Sequence, residues 1–471
     1  MAEATIVGSG PNGLACGAVL ARAGVKVTVL EMAETIGGGT RSSELTVPGV
    51  LHDHCSAVHP MGVASPVFEQ LGLEDHGLEW LWPEIDMAHP LEGGPAGVLH
   101  RSVRTTAAGL GGDGETWRRL FGASAAGFDE LRHDILRPVL RLPRHPVKLA
   151  RFGLPGLLPA TVLARSFDSP QAKALFAGAA AHSFSPLSQP MSSAVGMALI
   201  SSGHSGGWPV ACGGSRAITA ALAAVIEQAG GSIETGRRVR DLSELPATDA
   251  VVLDLDPRGV IELSGDRLPE RVRRDYAAYR YGPGSFKLDL AVEGGVPWSD
   301  ESCRRAGTVH VGGELEEIAF AEREINRGRM PERPFTLVCQ QYLADPSRSA
   351  GDVHPVWAYA HVPAYYPGDA TGAILDQIER FAPGLRERIV GSFVRSPAGF
   401  EQYNPNWPGG DIAAGANSPL QTVTRPRPGL KPYDTGIPGV FICSSSTPPG
   451  GGVHGMCGKN AADAVLANLA A

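Results

Sequence analysis

Two glycine-rich stretches at opposite ends of the chain carry the residues best suited to chemistry. Near the start, Gly8-Ser9-Gly10-Pro11-Asn12-Gly13 follows the β-branched run Thr5-Ile6-Val7 and precedes a small-residue segment, Leu14 to Ala23, that is helical in pattern. Strand, glycine turn and helix in that order build a pyrophosphate site. Gly8 makes the turn, Gly10 lets the backbone approach the anion, and Gly13 lets the helix pack on the strand with its N-terminus toward the phosphates. A second strand, Val25 to Leu30, ends at Glu31, whose carboxylate can accept from ribose hydroxyls and would repel a 2′-phosphate. Gly37-Gly38-Gly39-Thr40-Arg41 follows, a flexible turn ending in a guanidinium that either pairs with pyrophosphate oxygens or stays on the surface. Near the other end, Gly439 to Cys443 is strand-like, Ser444 to Gly455 is a turn of small residues, and Met456 to Leu469 is an alanine-rich helix whose N-terminus points at something electron-rich.

The turn after Glu31 resembles the GG-x-x-[RT] element of FAD-binding flavoproteins of the glutathione-reductase-like type. The closing stretch Pro448-Pro449-Gly450-Gly451-Gly452-Val453-His454-Gly455 is similar to that of the phytoene-dehydrogenase-related flavoproteins, which include the carotenoid desaturases and isomerases. The resemblance runs along most of the chain. It includes Asp53 to Pro60, Gly207-Trp208-Pro209 with Gly213-Gly214-Ser215, Phe286-Lys287-Leu288-Asp289, and Asn404 to Ile412, all typical of the bacterial branch.

The resemblance implies bound FAD, held by Gly8, Gly10, Pro11, Asn12, Gly13, Glu31, Gly38, Gly39, Thr40, Arg41, Val239, Ser444, Ser445, Gly452, Val453 and His454. Where many relatives place an acidic residue on the ribityl chain, this sequence has Ser444-Ser445-Ser446, whose hydroxyls donate and accept. It also implies the fold: an α/β FAD-binding Rossmann-like domain assembled from residues 1–66, 201–256 and 411–471, with a discontinuous α+β substrate domain from 67–200 and 257–410. The first of those blocks is helical in pattern and the second is richer in strands. Ala217 to Gly230 is expected as helix, Ser232 to Asp241 as strand, and Ala250 to Leu253 as a buried parallel strand.

In such a flavoprotein the cofactor accepts hydride and the protein orients the reactants. Three side chains are candidate catalytic groups. His454 sits at the start of the closing helix, where it donates to the flavin edge or substrate, or packs in its turn, and where the helix N-terminus disfavours its cation. Lys287 corresponds loosely to a water-holding lysine of distant oxidases, with a structural pair to Asp289 as its alternative. His361 is a pocket candidate. His52, Asp53, His54 and His59 lack ordered metal-ligand spacing and are expected to border the substrate cavity, with Asp53 or His59 capping a turn. Asp411 either caps a turn or touches the ribityl hydroxyls. Amine oxidation is disfavoured, because related amine oxidases place an aromatic residue where Gly451-Gly452 stands here.

The formal net charge of −8 argues against nucleic acid as a partner. No run of about 18 apolar residues is present, and the first strand starts within five residues of Met1, so a cytoplasmic protein is expected. Seven scattered cysteines without a CxxC pair argue against a disulfide framework, a zinc site or a dithiol centre. Between 137 and 165, Arg137, Arg141, Arg144, Lys148 and Arg151 alternate with leucines and prolines. That stretch is either a solvated lid or a peripheral contact with anionic lipid. The expected reaction is dehydrogenation of an apolar or mixed small molecule, a lipophilic substrate, with oxygen or another acceptor reoxidising the flavin. The alternatives are a flavin-dependent non-redox isomerase and a non-catalytic flavin-binding scaffold. Oligomeric state is not legible.

Overall fold

The computed structural model describes residues 1–470. Its first sheet has five parallel strands in the spatial order Val440–Ile442, Ala250–Leu253, Glu3–Val7, Lys26–Leu30, Ser232–Glu234. A parallel sheet is covered by helices on both faces, and its central strands are accordingly near-continuous apolar runs such as Ala250-Val-Val-Leu253. The helix Pro11–Arg22 lies on it, flanked by Arg216–Gln228 and the closing helix Met456–Leu469. Helix and sheet share one core that includes Ile6, Leu14, Val29, Leu222, Ile226, Val252 and Val465.

Glycine brings the two ends of the chain together. A Cβ on Gly458 would stand 1.9 Å from the Asn12 carbonyl oxygen, and one on Gly13 would stand 2.3 Å from the Gly8 carbonyl oxygen. Backbone cannot yield to such contacts, so the closing helix packs on the first glycine turn only because position 458 lacks a side chain, and the first helix closes on its strand only because position 13 does.

The second sheet has seven strands in the order Ile389–Arg395, Gly284–Glu293, Val353–Val362, Thr336–Cys339, Ala306–Val311, Ile85–Leu91, Gly94–Leu99. All neighbours are antiparallel except Ala306–Val311 with Ile85–Leu91. Its two faces differ. Phe286, Leu288, Leu290, Val338, Val356 and Ala358 point into an apolar core. The alternate residues point the other way, and their register sets Asp289, Trp357, Cys339 and Thr308 in one row and Lys287, Tyr359, Leu337 and His310 in the next. The helices Gly114–Ala126, Pro170–Ala181 and Ser193–Gly206 pack together over this sheet around Trp117, Phe121, Phe176 and Met197.

Two expectations are corrected. The 67–200 block is not all helical: Ile85–Leu91 and Gly94–Leu99 pair as a hairpin at one edge of the second sheet. Helices laid over that sheet bury both faces of Ile85–Leu91, which erases the alternation that marks a half-exposed strand. The strand expected from Ser232 to Asp241 ends at Glu234, and Val239 lies in the loop beyond it. Residues 137–165 hold the helix Pro146–Gly156 and a short turn of helix, Ala160–Leu163, with Pro146 in the first turn where a missing N–H is tolerated.

Candidate active site

A single cavity of about 950 Å³ runs from the first glycine turn, past the closing loop, to the polar face of the second sheet. That volume is at the upper end of the ~300–1,000 Å³ typical of ligand sites. Gly8, Gly10, Pro11, Asn12, Glu31, Gly38, Gly39, Thr40, Arg41, Val239, Ser444, Ser445, Gly452, Val453 and His454 all line it. Gly13 does not, because its place is in the packing between helix and strand described above.

Local bonds shape the cofactor end. Glu31 Oε2 accepts from the Ser9 amide at 2.9 Å and the Ser9 hydroxyl at 2.6 Å, which ties the ribose-side carboxylate to the glycine turn. Arg41 donates to the Thr35 carbonyl at 2.7 Å and reaches Glu31 at 3.3 Å, so its guanidinium braces the second turn while lining the cavity. Asn12 Nδ2 donates to Ser445 Oγ at 3.0 Å and joins the two glycine sites directly.

Asp254, at the carboxyl end of the strand Ala250–Leu253, accepts from the Gly13 amide at 3.1 Å. Burial, with the Glu31 carboxylate nearby, raises its pKa to about 7. Sequence reasoning placed this strand but missed the aspartate. Its signal was positional, since ligands of open parallel sheets sit at the carboxyl ends of the strands. Arg425 was missed altogether. It lines the cavity, is 2% exposed, and has the neutral amide of Asn417 as a partner at 2.8 Å.

These residues fit FAD. Asn12 Oδ1 is buried beside the turn with no partner, the helix Pro11–Arg22 presents its unpaired amides there, and Arg425 is a buried cation calling for an electron-rich ligand group.

The candidate catalytic residues fare differently. His454 lines the cavity, but its Nδ1 accepts from the Met456 amide at 3.1 Å, and the Gly450 and Gly451 carbonyls face its ring. Burial lowers its pKa to about 4, so the ring is neutral. Lys287 and His361 do not line the cavity. Lys287 is fully buried against Asp289 and over the Trp357 ring. It points to the same face as Trp357 and Tyr359, and a buried ammonium needs the partner that Asp289 supplies two residues along the strand. The desolvated ammonium has its pKa lowered by burial, and the ammonium beside Asp289 holds that carboxyl below the usual range. His361 is committed to Glu322 at 2.7 Å behind Phe184. Asp411 is a turn cap, fully buried and accepting from the Gly282, Ala413 and Gly415 amides. Asp53 accepts from Ser215 N and pairs with Arg348, while His59 borders the cavity and bonds Ser215 Oγ at 2.8 Å.

The far end of the cavity is walled by Phe152, Leu157, Phe184, Met191, Leu337, Trp357 and Tyr359, with His182 and Thr308 among them. Sequence periodicity did not find this chamber, because its walls come from separate segments.

A parallel dinucleotide-binding sheet, a second sheet over it and one cavity between define a flavin-dependent oxidoreductase. Residues 6–71 match the family model of the NAD(P)-binding Rossmann-like domain. The chain is 24% identical to pyridine nucleotide-disulfide oxidoreductase domain-containing protein 2 of Rattus norvegicus, across 99% of this chain and 94% of that one. It is 25% identical to hydroxyneurosporene desaturase of Cereibacter sphaeroides, across 99% and 98%. Wild-type putrescine oxidase bound to putrescine shares the fold at a TM-score of 0.60 and 16% identity, with 100% and 99% covered. The chain is an FAD-dependent oxidoreductase, and its similarity to the desaturase runs along almost its whole length.

Proposed function

We propose that the chain dehydrogenates an apolar or mixed small molecule lodged in the chamber, introducing a double bond. FAD supplies the hydride acceptor, and oxygen or another acceptor removes the electrons. The observation that carries this reading is the continuity of the cavity: residues fitted to FAD open directly onto aromatic and aliphatic walls. Phe184, Leu337 and Trp357 exclude water from the reacting carbon. Arg425 places positive charge beside the closing loop, where a Cβ on Gly450 would meet its guanidinium at 2.5 Å. His454, neutral and held by its own loop, shapes the wall and moves no proton in this reading.

A membrane contact through 137–165 belongs to the same proposal. Leu142 is 92% exposed, Leu140, Val147, Leu154 and Leu157 are also exposed, and Arg137, Arg141, Arg144 and Lys148 lie among them. Pro138, Val139, Phe152 and Leu157 also line the cavity, so the apolar and basic surface adjoins it. The segments Pro146–Gly156 and Ala160–Ser166 meet at 92°, and among the described residues no single helix is long and apolar enough to cross a bilayer. The surface suits lying on anionic lipid and drawing a lipophilic substrate from it. A cytoplasmic location completes the proposal, supported by cysteines that all stand free.

The test is anaerobic titration of the FAD-loaded protein with fractions of a lipid extract. Bleaching of the flavin absorbance with formation of a more unsaturated product supports the proposal. Turnover without consumption of any acceptor shows isomerisation instead, and a flavin that no fraction reduces overturns it. Sedimentation with phosphatidylglycerol vesicles, lost in Leu142→Glu/Leu154→Glu, tests the membrane contact.

A further inference from the structure

Asp254 sets a carboxyl group within the turn that receives the pyrophosphate. It follows the strand Ala250–Leu253, which lies beside the first strand, and its Oδ2 accepts from the Gly13 amide at 3.1 Å. The same oxygen is 2.6 Å from where a Cβ on Gly10 would stand. These glycines are the ones that bring backbone amides to a diphosphate. Asp254 Oδ1 has no hydrogen-bond partner among the described residues, and the residue, 7% exposed, lines the cavity. One oxygen is held by the turn and the other is left for a ligand.

The surroundings offer this carboxyl no counter-charge. Glu31, on the neighbouring strand, is the charged side chain that bears on it, and it repels. Arg41 is committed to Glu31 and to the Thr35 carbonyl. The thiols of Cys443 and Cys457, from the last strand and the closing helix, are kept protonated by burial. In the loop beyond, Asp256 accepts from the Gly259 amide and the Tyr281 hydroxyl, while Arg258 is paired with Glu401 at 3.0 Å. Arg237 is paired with Glu234 at 2.8 Å, and Arg238 and Arg240 are exposed. Burial and the Glu31 charge together outweigh the Gly13 and Gly10 amides, which favour the ionised form, and lift the Asp254 carboxyl to about 7.

A bound diphosphate brings two more negative charges to this corner. A carboxylate there would repel them, with no cation to offset the repulsion. A carboxylic acid donates to them instead, and an O–H bond to a phosphate oxygen is charge-assisted, about twice as strong as a neutral one. Oδ2, already accepting from an amide, serves as the carbonyl of the acid. The hydroxyl then falls on the free oxygen, Oδ1.

We infer that Asp254 is a cofactor-binding residue that holds FAD as a carboxylic acid donating to the pyrophosphate, so that loading the cofactor above neutral pH transfers one proton from solvent to this side chain. Below neutral pH the acid is already formed and no proton moves.

The experiment is calorimetry of FAD binding to the flavin-free protein at pH 8 in phosphate and in Tris, whose different ionisation heats report the protons exchanged. Flavin fluorescence gives Kd at pH 6, 7, 8 and 9. Expected are uptake of close to one proton per FAD at pH 8 and a Kd nearly constant below pH 7 that rises about tenfold per pH unit above it. Asp254→Asn, whose amide can accept from Gly13 and donate to a phosphate at any pH, should take up no proton, bind with a flat Kd and hold FAD more tightly than the wild type at pH 9. In the unmodified protein, loading FAD at pH 8 should add the infrared carbonyl band of a protonated carboxylic acid. Absence of that band, absence of proton uptake, a wild-type Kd independent of pH, or uptake that persists in Asp254→Asn overturns the inference. So does an Asn variant that folds but binds FAD more weakly than the wild type at every pH, since the ionised carboxylate would then be the form that holds the cofactor.

Discussion

At the cofactor end the cavity wall is largely backbone, whereas at the chamber end it is almost wholly side chain. Around the first glycine turn the working groups are amides, carbonyls and glycines, with Glu31, Asp254 and Asn12 bonded to or against them. Around the chamber the working groups are Trp357, Tyr359 and Thr308, projected from a sheet whose strands come from residues 85 to 395, and His182 and Phe184, which follow the helix packed over it. The first kind of wall tolerates almost no change and recognises a fixed ligand. The second can be altered residue by residue while the fold persists, which is how one scaffold accommodates different substrates.

The largest effect that would sharpen this contrast is at the junction of the two chain ends. Gly458→Ala puts a methyl group 1.9 Å from the Asn12 carbonyl oxygen, and backbone on both sides must move. Overpacking of a core typically costs about 1–3 kcal/mol, and a clash with backbone exceeds that range. The expected outcome is protein purified without flavin absorbance and not restored by added FAD. A chamber substitution of similar size, Thr308→Val, keeps its flavin.

Acid separates the two regions less sharply, because both hold histidines buried neutral: His59 and His454 at one end, His89 and His310 at the other. Their folded pKa values are depressed below the ordinary 6.5, to about 4 for His59, His89 and His454. Such groups contribute stability that is fully present above pH 6.5 and lost as pH falls toward 4, since the unfolded chain takes up protons that the folded one refuses. Each adds about 1.4 kcal/mol per pH unit within that window. Urea midpoints at pH 7, 6 and 5 should fall steeply; a flat series would mean that these rings are protonated in the fold.

The cofactor end was legible because its constraints are local. Gly8, Gly10, Gly13 and Glu31 lie within a single strand–turn–helix–strand run, so spacing alone locates them. The chamber was not, because Leu337, Thr308, His182 and Tyr359 become neighbours only through strand order and register, which no window of sequence contains. Lys287 and His361 looked like site residues for the same reason. A polar residue in an apolar strand marks the polar face of a sheet, yet the sequence does not say which residues of that face are covered. The buried strand Ile85–Leu91 hid within a helical stretch because its burial on both sides removed the alternation.

Lys287 offers the next test of the division. If it is only half of a buried pair behind the wall, Lys287→Met leaves Asp289 charged and alone, at a cost of about 3–5 kcal/mol, while the double variant Lys287→Met/Asp289→Leu recovers most of it. Chemical denaturation of the three proteins checks this. The double variant should also keep its flavin and its rate of flavin reduction. A rate that stays depressed despite recovered stability would put Lys287 among the residues acting on the reaction.

The smallest effect concerns His454, the one candidate catalytic residue that does line the cavity. Its Nδ1 accepts from the Met456 amide, as a capping side chain does, and its carbonyl accepts from Ser65 Oγ at 2.6 Å. His454→Ala should therefore cost about 1 kcal/mol, the usual worth of a cap, and His454→Asn, whose side-chain oxygen can still accept from that amide, should recover it. With the substrate found by titration, both variants should reduce the flavin within a few-fold of the wild-type rate. General acid–base groups contribute about 10²–10⁴-fold, so an Asn variant that is stable but slowed a hundredfold would show the imidazole acting on the substrate. The closing loop would then supply side-chain chemistry as well as shape, and the division between a backbone-built cofactor end and a side-chain-built chamber would fail at the point where they meet.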